Sequence, residues 1–247
     1  MEYTNQLKKY VRSLHMRKYR QKYDKFIAEG PKICEEFKRG NHTISHIFCV
    51  KNWLDENPNA IDRVDNLTVI KERELQQISA LKTANQVLFV IDRPSASNLD
   101  LGGDVAWMLY LDKIQDPGNL GTIIRIADWY NISCILLSHD SVDPYNPKVI
   151  QSAMGGHNRI KTKILESIAD LQSIKKPLYG LALRGADINT LSLDPGILIV
   201  GNESKGIRPE LLPLLDQKIT ISKIGGAESL NASVACGIAC HCLVSRA

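Results

Sequence analysis

The chain has 247 residues, 44% of them hydrophobic and 23% charged, with a formal net charge of +4. That length suits one large domain or two modest ones, and the ordinary composition excludes a disordered or collagen-like chain. No run approaches the ~20 apolar residues of a membrane span and no apolar leader opens the chain, so neither a membrane-spanning nor a secreted protein is expected.

Residues 1–30 read as a helix, a basic loop and a short strand over 24–28. Between Lys8 and Lys25 stand Lys8, Lys9, Arg12, Arg17, Lys18, Arg20, Lys22 and Lys25 against a single acid, Asp24, with Tyr10, Tyr19 and Tyr23 interleaved. Cations beside stacking rings are a nucleic-acid footprint; a solvated charged helix face is the plainer alternative. A helix follows over 32–39, stopped by Gly40. Next come a strand over 44–50, a helix over 53–64 broken near Pro58, a strand over 67–70, a helix over 71–81 and a strong strand over 86–91. Residues 1–92 thus form a small α/β unit. The polar, Pro/Ser-rich stretch after it makes 93–104 the linker.

Residues 105–247 form a second α/β unit. Strands are predicted over 107–112, 133–137, 160–164, 178–183, 197–200 and 218–221. Helices are predicted over 119–129, 147–154, 166–174, 208–215 and 231–244. Short apolar strands alternating with helices imply a mostly parallel sheet covered on both faces. Ligands of such sheets bind at the carboxyl ends of the strands. Three loops rich in Gly and Asn follow the strands ending near Asp112, Val200 and Ile221. They are Asp116-Pro117-Gly118-Asn119-Leu120-Gly121, Gly201-Asn202-Glu203-Ser204-Lys205-Gly206 and the run from Gly225 through Ser229, Asn231 and Ser233 to Ala235. One site built from all three is expected.

Several chemistries lack their parts. There is no G-x-G-x-x-G, and Gly201 to Gly206 lacks the Gly-Lys-Ser/Thr ending of a P-loop. His139 and His157 have no nucleophile to serve. The cysteines Cys34, Cys49, Cys134, Cys236, Cys240 and Cys242 fall mostly in apolar runs, which suits reduced thiols in a cytosol. Cys236, Cys240, His241 and Cys242 read as packing residues of a helix, so no metal is expected.

The three loops resemble the three motifs of the SpoU (TrmH-type) RNA 2'-O-ribose methyltransferases, in order and spacing. Asp116 to Arg125 is similar to the first, Leu198 to Ile207 to the second and Glu228 to Ala235 to the third. Tyr145 to Gly156 resembles the family's Pro-Lys…Ser-x-Gly stretch. Residues 1–92 resemble the small RNA-binding domain, itself like a ribosomal protein, that precedes the catalytic domain in many members; Phe26-Ile27-Ala28-Glu29-Gly30 is its marker here.

The resemblance implies a fold that periodicity does not reach: a parallel sheet with a C-terminal trefoil knot, preceded by the small α/β domain. It implies S-adenosylmethionine as methyl donor, a homodimer and a cytoplasmic enzyme that methylates a ribose 2'-hydroxyl in structured RNA, above all ribosomal RNA. The catalytic set it implies is Arg125, Asn119, Glu203, Ser229 and Asn231. The donor would lie against Gly201, Ile221, Leu230, Asn202 and Gly206, with the Gly201 backbone free to approach it closely. RNA would be met by Arg12, Arg17, Lys18, Arg20 and Lys22. An arginine is hard to deprotonate, so orientation and charge stabilisation suit Arg125 better than the role of base, which stays open. Asn119 can hold the ribose, cap a helix, or both. Ser229 and Asn231 carry the same alternatives. Where family members commonly have Pro-Met, this chain has Ser222-Lys223, and that places a cation close to a sulfonium donor. A non-catalytic ribosome-assembly factor on the same fold and a transfer-RNA ribose methyltransferase are the competing readings. Methylation of a base nitrogen would call for a carboxylate base.

Overall fold

The computed structural model describes residues 3–64, 66–94 and 107–244, with the side chains of 61–63 set aside. The linker expected over 93–104 lies outside the described residues from position 95 onward. In chain order the elements are α1 (Asn5–Ser13), α2 (Arg17–Tyr23), β1 (Lys25–Glu29), α3 (Pro31–Arg39), β2 (Ile44–Cys49), α4 (Lys51–Glu56), β3 (Leu67–Val69), α5 (Glu72–Ile78) and β4 (Val87–Asp92). There follow β5 (Met108–Leu111), α6 (Pro117–Trp129), β6 (Cys134–Ser138), α7 (Pro147–Ala153), β7 (Lys161–Leu165), α8 (Ile168–Gln172), β8 (Leu178–Asp187), β9 (Ile197–Val200), β10 (Gln217–Thr220) and α9 (Ala232–Val244). Short 3-10 turns occupy Pro58–Arg63 and Pro209–Leu214. The second replaces the helix expected over 208–215, because Pro213 inside it has no N–H to give.

Two compact units emerge: Met1–Ser95 with Asp143–Asn158, and Ala96–Val142 with Arg159–Ala247. The first is built on a four-stranded mixed sheet in the order β1-β4-β2-β3. Its central strand β4 is buried from Val87 to Ile91. The loop expected between the first helix and the first strand is helix α2 instead. Lys, Arg, Gln and Tyr have adequate helix propensity, and no Gly or Pro interrupts them. The segment 143–158, expected in the second domain, belongs to this unit for a physical reason. Tyr145 and Ile150 are part of its core, with the Tyr145 ring 5.0 Å from that of Phe26. Gly155, at φ +88, completes the fit, since a Cβ there would sit 2.6 Å from Glu36 Cβ.

The second unit is a six-stranded sheet, every pair parallel, in the order β10-β8-β9-β5-β6-β7. The inner strands β5, β6 and β9 are buried at every residue, as strands covered on both faces must be. The edge strands β7 and β10 carry Lys161, Lys163, Gln217 and Lys218, which discourages pairing with another chain. Because all strands run one way, the loops after β5, β9 and β10 leave from one edge, as the sequence predicts. Among the described residues no helix is long and apolar enough to cross a membrane.

Candidate functional site

Helix α6 starts on a Pro at its first position and an Asp before it. The Asp116 carboxylate accepts the Asn119 backbone N–H at 2.8 Å. The cap is therefore Asp116, and Asn119 is not a cap but the third residue of the helix. Its side chain is left free to reach across the edge of the sheet. It donates from Nδ2 to Glu203 Oε1 at 2.8 Å and accepts at Oδ1 from Asn231 Nδ2 at 3.0 Å.

Asn231 does cap its helix. Its Oδ1 accepts the Ser233 backbone N–H at 2.9 Å and the Ser233 hydroxyl at 2.6 Å, while its own carbonyl takes the first helical bond, from Ala235 N at 2.9 Å. That arrangement sets the direction of the whole chain of amides. Helix N–H groups can only donate, so the Asn231 oxygen must face them and its NH2 must face outward. Asn119 then turns its oxygen to Asn231 and its NH2 to Glu203. Helix α9 thereby dictates, through two side chains, which atom is presented to the Glu203 carboxylate.

The second loop is held from below. Asn202 Oδ1 accepts the Ser204 and Lys205 backbone N–H groups at 3.0 and 3.1 Å, and Asn202 Nδ2 donates to the Lys113 carbonyl at 2.9 Å. Asn202 and Gly206 exchange both backbone bonds. Gly206 has φ +69, a conformation that favours glycine. Gly201 is needed for a reason besides the expected approach to a ligand. A Cβ there would lie 2.3 Å from the Gly206 carbonyl carbon and 2.4 Å from Ile207 N, so the loop folds back onto its own first residue.

Three residues of this scaffold were not anticipated: Asp112, Arg208 and Asp140. Asp112, 1% exposed at the end of β5, accepts the Arg208 backbone N–H at 2.8 Å and pairs with the Arg208 guanidinium. Arg208 also reaches Asp140 at 2.9 Å. Burial alone would lower the Arg208 pKa, but the two carboxylates raise it above its ordinary value. Burial works to raise the Asp140 pKa, and the Ser138 hydroxyl and Arg208 more than offset it, leaving that carboxyl below its ordinary value. The signal was available: a carboxylate ending an apolar strand requires a cation once buried.

The remaining expected residues occupy more open positions. Arg125 is exposed on α6 and makes no ion pair among the described residues. Ser229 is exposed, Leu230 is 47% exposed and Ile221 is half-buried. Lys223 is exposed. From Ser222 to Leu230 the backbone N–H and C=O groups are taken up by no other described residue. Free backbone groups flanked by the apolar Ile221 and Leu230 fit the adenosine part of S-adenosylmethionine, which offers hydrogen-bonding edges on a flat apolar ring.

In the first unit, Arg12, Arg17, Lys18 and Lys22 are exposed as expected of RNA-facing cations. Arg20 is not, and its assignment to RNA is corrected. It is 1% exposed, with Nε donating to Asp143 Oδ2 at 2.7 Å and NH1 to the carbonyls of Leu14 and His15 at 2.9 and 2.8 Å. A buried guanidinium needs such partners, and a carboxylate with two carbonyls supplies them.

A family model described as the SpoU rRNA Methylase family matches residues 106–241, and one described as an MRM3-like substrate binding domain matches 5–88. The chain is 30% identical, over 95% of its own length and 94% of the other's, to the 23S rRNA (guanosine(2553)-2'-O)-methyltransferase RlmP of Bacillus subtilis. Among solved structures it resembles a TrmH-family protein from Porphyromonas gingivalis, with 29% identity and a TM-score of 0.88 over the whole of both chains. It also resembles an AdoMet-bound rRNA methyltransferase from Sinorhizobium meliloti, with 25% identity and a TM-score of 0.81 over 98% and 95% of the two chains. The three loops, the sheet that carries them and these matches lead to one conclusion: the chain belongs to the SpoU rRNA methylase family.

Proposed function

We propose that the protein transfers a methyl group from S-adenosylmethionine to a ribose 2'-hydroxyl of structured ribosomal RNA. The observation that carries this reading is the single network joining the three loops: the Lys113 carbonyl to Asn202, the Asn202–Glu203 loop to Asn119, and Asn119 to Asn231. When bound, S-adenosylmethionine supplies an electrophilic methyl on its sulfonium. The protein's part is to hold a ribose hydroxyl in line with that methyl and to stabilise the charge that develops on its oxygen. Asn119 and Glu203 present a donor and an acceptor of fixed direction, suited to ribose hydroxyls. Arg125 contributes an exposed cation for the developing oxyanion or the adjacent phosphate. Ile221, Leu230 and the backbone of Gly201, Asn202 and Gly206 would hold the donor, and Ser229 would face the reacting ribose. Lys223, being exposed, is free to turn to RNA phosphate.

The same reading includes the C-terminal knot and a homodimer. Support for the dimer comes from an apolar surface on the second unit: Trp129 of α6 is 84% exposed, and Val234 and Ile238 share one face of α9. Sedimentation equilibrium giving a monomer would remove the dimer from the reading. Buried cysteines outside any disulfide at Cys34, Cys49, Cys134, Cys236 and Cys240 support a reducing, cytoplasmic setting.

The test is to map ribose methylation across total RNA in cells with and without the protein, beside the Arg125→Ala variant in vitro. One ribosomal site is expected to disappear. The variant is expected to bind S-adenosylmethionine yet transfer no methyl. A lost site in transfer RNA would move the substrate class, and absence of S-adenosylmethionine binding to the unsubstituted protein would favour the assembly factor.

A further inference from the structure

The first unit carries an open groove of about 680 Å³ between α1 and α2, lined by Leu7, Lys9, Tyr10, Ser13, Tyr19 and Tyr23 among others. Its floor is aromatic. The Tyr19 and Tyr23 rings lie nearly parallel, 15° apart with centroids at 6.2 Å, and Tyr10 stands against Tyr23 edge-on at 5.1 Å. Cations accompany the rings. The Lys18 ammonium lies over the Tyr19 ring at 5.9 Å from its centroid and the Lys22 ammonium over that of Tyr23 at 5.4 Å, on side chains long enough to swing aside for a base, with Lys9 exposed on the lining. No acidic residue stands between Asn5 and Tyr23. Nothing within the unit requires this exposure. Leu14 and Val11 of the same segment are buried in the core, and Arg20 is consumed by Asp143, yet Tyr23 remains 37% exposed.

We propose that this groove takes an unpaired nucleobase of the RNA substrate, stacked on Tyr19 and Tyr23, with Lys9, Lys18 and Lys22 meeting the flanking phosphates. The proposal rests on the RNA-methyltransferase reading and narrows its substrate. A paired A-form stem offers phosphates and 2'-hydroxyls but no ring face, so a groove of this kind selects a loop, bulge or end whose base can be turned out. Rings also tolerate any base, so the groove reads the unpaired state and leaves sequence to other contacts. The buried Arg20 belongs to this device. By holding the carbonyls of Leu14 and His15 it fixes the turn between the helices, and hence the angle between Tyr10 and Tyr23.

The probe is a short unstructured RNA with one 2-aminopurine, whose fluorescence falls on stacking, titrated with the full-length protein. The unsubstituted protein is expected to quench it. Tyr19→Leu with Tyr23→Leu is expected to abolish the quench and weaken binding roughly 5- to 100-fold, with the salt dependence of log Kd unchanged. Lys18→Gln is expected to keep the quench and reduce the salt slope by about one. Tyr23→Phe, which keeps the ring, is expected to behave as the unsubstituted protein does. S-adenosylmethionine affinity and circular dichroism report whether the double variant is folded. Should it not be, photocrosslinking of the unsubstituted protein to 4-thiouridine RNA decides, the crosslink being expected within residues 4–23. An absent quench, a quench that survives loss of both rings, a crosslink elsewhere, or a changed oligomeric state of the double variant would each overturn the proposal. Methyl transfer to ribosomal RNA is scored separately, so failure of the enzymatic reading and failure of the groove are distinct results.

Discussion

Replacing Asn231 by Asp separates the two jobs of that side chain. An aspartate still accepts the Ser233 N–H and hydroxyl, now made at 2.9 and 2.6 Å, and a carboxylate at a helix N-terminus is favourable. The cap by itself should therefore change stability by no more than about 0.5 kcal/mol. The outward N–H is lost, however, and a carboxylate oxygen faces Asn119 Oδ1 across the present 3.0 Å. Asn119 then either keeps two acceptors in contact or flips, which sets its oxygen against Glu203 Oε1 where an N–H now lies at 2.8 Å. One neutral hydrogen bond, at about 0.5–1.5 kcal/mol, and one to a carboxylate, at about 1.5–3 kcal/mol, are disturbed, for a total of roughly 2–4.5 kcal/mol. At ~1.4 kcal/mol per decade, kcat/KM should fall about 25- to 1500-fold. The assay is transfer of labelled methyl to ribosomal RNA, beside a urea melt. Adding Glu203→Gln supplies an N–H for the flipped Asn119 oxygen, so the double variant should be more active than the two single effects combined predict. A full-rate Asn231→Asp would refute the directional relay.

Arg20→Met should leave Asp143 buried without its cation and destabilise the chain by about 3–5 kcal/mol in urea, and Asp143→Leu added to it should recover much of the loss. Gly201→Ala forces a Cβ into the Gly206–Ile207 backbone, so S-adenosylmethionine affinity by calorimetry should fall about tenfold or more; an unchanged affinity would mean the loop's shape does not matter to the donor. His157 is buried, its Nε2 donating to the Pro144 carbonyl at 2.8 Å, and burial pushes its pKa from 6.5 to about 4. The unfolded chain thus binds the proton first, so this histidine's contribution is complete above pH ~6.5 and is lost as pH falls towards ~4, about 3 kcal/mol in all. Urea midpoints should fall with pH across that window, and His157→Gln should reduce the slope without removing it, because burial also lowers His46 to about 4 and lowers His15 and His42.

The parallel sheet and the common edge of the three loops were legible because buried strands and intervening helices announce themselves by apolar runs. The cap of α6 was legible too, in Asp116-Pro117, but Asn119 is as good a cap by type and displaced it in the reading. Arg20 was not legible. Its partner lies 123 positions away, and a basic run gives no sign of which member turns inward. Gly201 carries a constraint the sequence did not show: a passing stretch of its own loop, which only the closed Asn202–Gly206 turn reveals. Segment 143–158 has the pattern of any amphipathic helix, and such a pattern does not say which core it enters.

That last segment bears on how such a protein can be inherited and rearranged. A gene cut in the stretch after Pro94 would not yield two independent cassettes. The shorter product would lack Tyr145 and Ile150, two side chains of its own core, and would keep Arg20 without Asp143. Exchange of RNA-recognition modules at this joint would therefore transmit an unfinished wall. A new module could be accepted only if positions 143–158 changed along with it.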